Sequence, residues 1–187
     1  MTTAGRDMET RTLPYRPLFI VGLPRSGTTL VQLALSSHSS TITTRETHLF
    51  DFYLGPLIDV YDAEAQSVRS DDGIRHLLPN DAFLSAMREL AITVLNAIYQ
   101  KKPTALVVIE KSPLHLFYLQ AIRRCLPEVY ILHVIRDPRG VIASLKAAGS
   151  KIGAIGHQSG RCLNGLQVGA PAWKKRTATP RHRVGVS

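Results

Sequence analysis

The chain is poor in several things, and each shortage excludes something. Its 187 residues hold two cysteines, Cys125 and Cys162, which make neither a disulfide framework nor a zinc site. No run approaches the roughly 18 consecutive apolar residues of a membrane span. The opening MTTAGRDMETRTLPYR is too polar for a secretory signal. Acid is missing from one end: residues 151–187 carry 7 Lys+Arg and no Asp or Glu, a net of +7. Residues 1–150 carry 16 Lys+Arg and all 14 Asp+Glu, a net of +2. The formal charge of +9 therefore belongs to the last fifth of the chain, and a basic groove across the folded body is not expected. These absences point away from nucleic acid and from a membrane span, and toward a reducing, cytoplasmic setting. What is present, 44% hydrophobic and 20% charged residues, suffices for one sizeable core and is too short for two.

Residues 1–16 read as a flexible polar leader. Three apolar runs then read as buried strands: LFIVG at 18–22, ALVVIE at 105–110 and VYILHVI at 129–135. Near-continuous apolar runs suit parallel strands covered on both faces. Helical patterns lie between them. TTLVQLALSSH places Leu30, Leu33, Ala34 and Ser37 on one face, and residues 81–99 form a broad stripe through Phe83, Met87, Leu90, Val94, Leu95 and Ile98. Ser112-Pro113 and Asp137-Pro138 are helix starts, the first with Ser as N-cap and the helix running to Pro127. Strands alternating with helices predict an α/β fold, with a mainly parallel sheet flanked by helices. Residues 17–150 form the expected domain. The Gly-rich, acid-free stretch 151–187 has no sustained apolar period and reads as a poorly structured tail.

Three strand ends carry cations. Gly22-Leu23-Pro24-Arg25-Ser26-Gly27-Thr28-Thr29 has the G-x-x-x-x-G spacing of a phosphate loop opening a helix, with backbone amides and hydroxyls converging on an anion. A nucleoside-triphosphate loop places Lys where Thr28 stands; here Arg25 supplies the charge. At the second junction Arg136 leaves a strand end and Ser144 lies two turns into the following helix, a pair suited to a phosphate monoester. The alternative there is that Arg136 pairs with Asp137 or Glu128. The third is Glu110-Lys111-Ser112-Pro113, where a solvated surface lysine is the bland reading. Ligands of open α/β sheets bind outside the carboxyl ends of the strands, where all three cations fall.

FIVGLPRSGTTL and VIRDPRGVIASL together resemble the 5′-phosphosulfate loop and 3′-phosphate motif of sulfotransferases that use 3′-phosphoadenosine 5′-phosphosulfate (PAPS), of the type found in tyrosylprotein and many bacterial sulfotransferases. The resemblance covers about residues 17–148 and implies a P-loop-containing fold. It implies that Arg25, Ser26, Gly27, Thr28 and Thr29 hold the 5′ end of PAPS, and that Arg136 and Ser144 hold its 3′-phosphate. Glu46 falls where relatives carry a glutamate general base, Lys111 where they carry a lysine near the transferring group, and His48 is the reserve base. Arg45 is the alternative partner for Glu46. The reaction implied is sulfuryl transfer to a small-molecule or peptide acceptor hydroxyl, phenol or amine, with no divalent metal. Family members are longer beyond residue 150, so the chain reads as shortened. A non-catalytic nucleotide-binding remnant is one rival reading, and a P-loop kinase or NTPase, disfavoured by Thr28, is another.

Overall fold

The computed structural model describes residues 13–66 and 73–148. Two compact units divide the chain, Met1–Ala143 and Ser144–Ser187. In the first, β1 (Arg16–Gly22) leads through α1 (Thr28–Ser36) to the short β2 (Thr41–Thr43). A π-helical turn, Leu49–Leu54, continues into α2 (Gly55–Glu64), then come α3 (Ile74–Leu77), α4 (Asn80–Tyr99) and β3 (Val107–Lys111). A 3₁₀ turn, Pro113–Tyr118, runs into α5 (Leu119–Cys125), followed by β4 (Tyr130–Val134) and α6 (Pro138–Ala147).

The four strands pair in the order β2-β3-β1-β4, all parallel, with Ile20 opposite Lys111 and Gly22 opposite Val134. The α/β reading is therefore the observed fold. The chain leaves β1 toward one side of the sheet and leaves β3 toward the other. These two strands are neighbours, so their following loops diverge at the crevice where such sheets bind ligands. Phe19 and Val21 of β1, Val108 of β3, Phe50, Leu54, Ile58, Ile92, Leu95 and Ile122 pack one core between sheet and helices.

Several expectations are corrected. β4 is not covered on both faces: its residues are half-buried or exposed, and Ile135 just beyond it is 81% exposed. It pairs only with β1 among the described strands, and an apolar run does not encode how many neighbours its strand has. The face of α1 turned inward carries Thr28 and Gln32, while Leu30 and Leu33 are 73% and 62% exposed. Gln32 Nε2 donates to Thr43 Oγ1 and to the Thr44 carbonyl, each at 2.8 Å, which ties α1 to the end of β2 and sets that rotation. The stripe of α4 holds at Phe83, Leu95 and Ile98, with Ala91 and Ile92 also buried, but Leu90 is exposed. By length and mean hydropathy α4 also meets the measure of a membrane-crossing helix, but Asp81, Arg88 and Glu89 interrupt its apolar residues and its apolar face lies in the core.

Ser112 does not cap the helix that follows it. Its hydroxyl instead donates to Glu110 Oε1 at 2.7 Å, and its oxygen accepts the His48 amide at 3.1 Å, the lone pair a cap would offer to the helix. Tyr15, within the stretch read as leader, is buried, donates to Asn96 Oδ1 at 2.8 Å and packs on Tyr99. Residues 1–12 of that leader and the tail 151–187 lie outside the described residues.

Candidate active site

The loop after β1 is built for close approach. A Cβ on Gly22 would stand 2.6 Å from the Val134 carbonyl and 2.8 Å from Ser26 Oγ, so only glycine lets the ends of β1 and β4 and the returning loop converge. Gly27 has φ 104° and Arg25 φ 73°, both in the left-handed region. For a non-glycine residue this conformation costs about 1–2 kcal/mol, and such strain concentrates where a ligand is gripped. Ser26 Oγ is buried in this loop and has no hydrogen-bond partner, an orphaned polar atom of the kind a ligand can satisfy. Beneath a Cβ on Gly27 there is open space. Thr28 is buried at the start of α1 and Thr29 is exposed beside it.

The other junctions converge on this loop. Lys111 is only 5% exposed, so the reading of a solvated lysine fails. Its Nζ pairs with Glu46 Oε1 and lies 3.5 Å from Thr29 Oγ1. Glu46 therefore has Lys111, not Arg45, as its partner, and it sits on the irregular chain between β2 and the π-helical turn. Arg136 donates to the Arg25 carbonyl at 3.1 Å. Neither carboxylate proposed as its partner holds it: Asp137 pairs with Arg139, and Glu128 with Arg88. A Cβ on Gly140 would meet Arg136 Nε at 3.1 Å, so the glycine leaves room for the guanidinium. Ser144 is on α6, at the start of the second compact unit. An open cavity of about 530 Å³ is lined by Thr29, Gln32, Thr44, Arg45, Glu46 and Lys111 among others. An anion held by the loop and a second molecule in the cavity would thus meet at Lys111 and Glu46.

Behind the cavity lies a cluster that sequence reasoning missed. Glu110 Oε1 accepts from Thr47 Oγ1 and Ser112 Oγ, both at 2.7 Å. Fully enclosed His115 stands between two enclosed carboxylates, its Nδ1 3.0 Å from Glu110 Oε2 and its Nε2 3.1 Å from Asp51 Oδ1. Burial pushes the imidazolium down, but Glu110 and then Asp51 outweigh it and hold the ring up at about 9. Burial likewise raises both carboxyls, and the paired histidine outweighs it, keeping Glu110 and Asp51 below the usual range. The Phe50 amide points at His115 Nε2 from 2.9 Å and could serve only a neutral ring. Leaving that amide unmatched costs about 1–3 kcal/mol, whereas stripping the partner from a buried charge costs about 3–5 kcal/mol, so the charged ring is favoured. The His48-to-Asp51 spacing of three residues was the one sequence signal for this cluster; Glu110 within an apolar run gave none. Among the described residues no group of three or more His, Cys, Asp or Glu is arranged to hold a metal ion.

Compared with known protein families, residues 17–181 match the family described as the sulfotransferase family. The chain belongs to the sulfotransferase family. The match runs past residue 148, where the motif resemblance ends, so residues 149–181 align with the sulfotransferases as well. No curated protein matches the chain. Both motifs that carried the resemblance lie on the sulfotransferase match and, in the structure, on neighbouring strand ends.

Proposed function

We propose that this sulfotransferase moves a sulfuryl group from PAPS to an acceptor hydroxyl, phenol or amine of a small molecule or peptide. The observation that carries the reading is the meeting of Lys111 and Glu46 at the cavity wall, beside a loop whose buried Ser26 hydroxyl lacks a partner. The loop amides, Ser26, Thr28 and Thr29 would bind the 5′-phosphosulfate, with Arg25 adding charge at the loop. Arg136 and Ser144 would take the 3′-phosphate. Lys111, already within reach of Thr29, would neutralise charge growing on the departing phosphate, and a low-dielectric position strengthens that effect. Glu46 would accept the acceptor's proton, a step typically worth about 10²–10⁴-fold. Binding donor and acceptor side by side supplies alignment, the other physical need of an in-line displacement.

The experiment is a ligand panel followed by turnover. Adenosine 3′,5′-bisphosphate should bind and stabilise the chain more than AMP or ATP–Mg²⁺, and PAPS should sulfate a phenol. Equal calorimetric affinity for AMP and the bisphosphate would sink the 3′-phosphate assignment, and tighter ATP–Mg²⁺ binding would revive a kinase or NTPase.

A further inference from the structure

A line of titratable side chains runs from the cavity wall inward, and the proposed reaction uses only its outer end. Glu46 has two oxygens. Lys111 takes Oε1, and Oε2 lies 3.6 Å from His48 Nε2. On the far side of the ring, His48 Nδ1 is 2.9 Å from Asp51 Oδ2 on an enclosed carboxylate. His115 faces the other oxygen of Asp51, and together the two histidines hold that carboxyl ionised, against its burial. An ionised Asp51 can only accept, so a neutral His48 carries its proton on Nδ1 and turns the Nε2 lone pair toward Glu46. The ring lies flat on Phe52, 4.3 Å between centroids, which fixes its plane. Its backbone is left-handed, φ 54°. Arg25 and His48 are the two non-glycine residues with positive φ among those described, and both border this site.

We propose that His48 is a positioning residue for Glu46, passing on the proton that Glu46 takes from the acceptor, with Asp51 stabilising the resulting imidazolium. The proposal rests on the sulfuryl-transfer reading. The acceptor O–H bond breaks as that oxygen's electron pair forms the new bond to sulfur. The bond from sulfur to the donor's bridging oxygen breaks with its pair left on the phosphate. The proton moves to Glu46 Oε2, then to His48 Nε2, and leaves the partly exposed imidazolium to water before the next turnover. Glu46 returns to a carboxylate, which restores its pairing with the nearly enclosed Lys111. Gaps such as 3.6 Å commonly tighten once substrates are bound.

The test uses the full chain. Ring-nitrogen NMR of ¹⁵N-histidine-labelled protein should show His48, when neutral, protonated on Nδ1, with an Nε2 signal that moves in Glu46→Gln. Protonation on Nε2, or a signal indifferent to Glu46→Gln, overturns the relay without reference to turnover. With PAPS and a phenol, His48→Asn, which tolerates the left-handed backbone, should lower kcat at least about tenfold. KM for PAPS and the affinity for adenosine 3′,5′-bisphosphate should stay unchanged. His48→Gly should regain rate on addition of free imidazole; a loss that imidazole does not restore overturns the relay in favour of a structural role. A wild-type chain that turns over nothing overturns the sulfuryl-transfer reading and the relay with it. Wild-type turnover together with full activity in His48→Asn overturns the relay alone.

Discussion

Raising the pH from about 6 to about 8.5 should weaken the native state by about 2 kcal/mol, with His115 as the cause. The ring is enclosed between Glu110 and Asp51, and its native value stands at about 9 against an ordinary 6.5. A group raised in the folded state stabilises fully below its unfolded value and loses that contribution as pH climbs through the folded one. The whole contribution is about 3 kcal/mol, of which about 2 kcal/mol falls within the window named. Other shifted groups stay out of that window. Asp51 and Glu110 are lowered, so what they add is present above their ordinary values of 3.8 and 4.5 and is lost only as pH falls. Burial raises Cys125 to about 11 and Tyr15 to about 12, and these cost stability only once the unfolded chain ionises, near 9 and 10. Urea melts followed by far-ultraviolet dichroism read the effect directly: the midpoint should fall at constant slope, and the thermal midpoint by about 4–8 °C. In His115→Gln the pH dependence should vanish, and the variant should start about 3–5 kcal/mol weaker because a buried carboxylate loses its cation. A wild-type midpoint equal at both pH values would refute the argument and assign His115 to the neutral form that accepts the Phe50 amide.

Three further outcomes follow from the loop and its neighbours. Gly27→Ala has room for its methyl group but not the backbone for it at φ 104°, and should cost about 1–2 kcal/mol in a urea melt. Arg136→Ala removes charge-assisted contacts worth about 1.5–3 kcal/mol and should weaken adenosine 3′,5′-bisphosphate at least tenfold and by more than it weakens AMP, as measured by calorimetry. Arg25→Ala should damage binding of the 5′ group whereas Glu46→Gln should spare it; equal losses would make Glu46 a structural partner rather than a base.

The legible parts of the fold are those where one residue's own chemistry decides. LFIVG and VVIE are apolar because β1 and β3 are central strands, and both emerge as such. The glycines of the loop are legible because backbone convergence and positive φ demand them at Gly22 and Gly27. Legibility fails where neighbours decide. VYILHVI reads like the other two runs, yet β4 pairs only with β1 among the described strands. Thr41–Thr43 is too short and polar to read as a strand, and it exists through parallel pairing with β3 and the amide of Gln32. Leu30 and Leu33 mark an apolar face whose direction was fixed by Gln32, a polar residue on the opposite side of α1.

The site shows the same division more sharply. Lys111 and Glu46 were each readable as candidates, but their pairing depends on three consecutive residues at the end of β3 gripping three consecutive residues after β2. Glu110 binds Thr47, Lys111 binds Glu46, and Ser112 Oγ accepts the His48 amide at 3.1 Å. Desolvating Glu110, Asp51 and His115 is expensive, and well-packed apolar residues of similar volume are often no worse for stability. Apolar side chains would, however, leave the Thr47 hydroxyl, the His48 ring and Ser112 without the acceptors that set their positions. The buried charges therefore also fix, within the reach of a hydrogen bond, where the Glu46 carboxylate stands against Lys111.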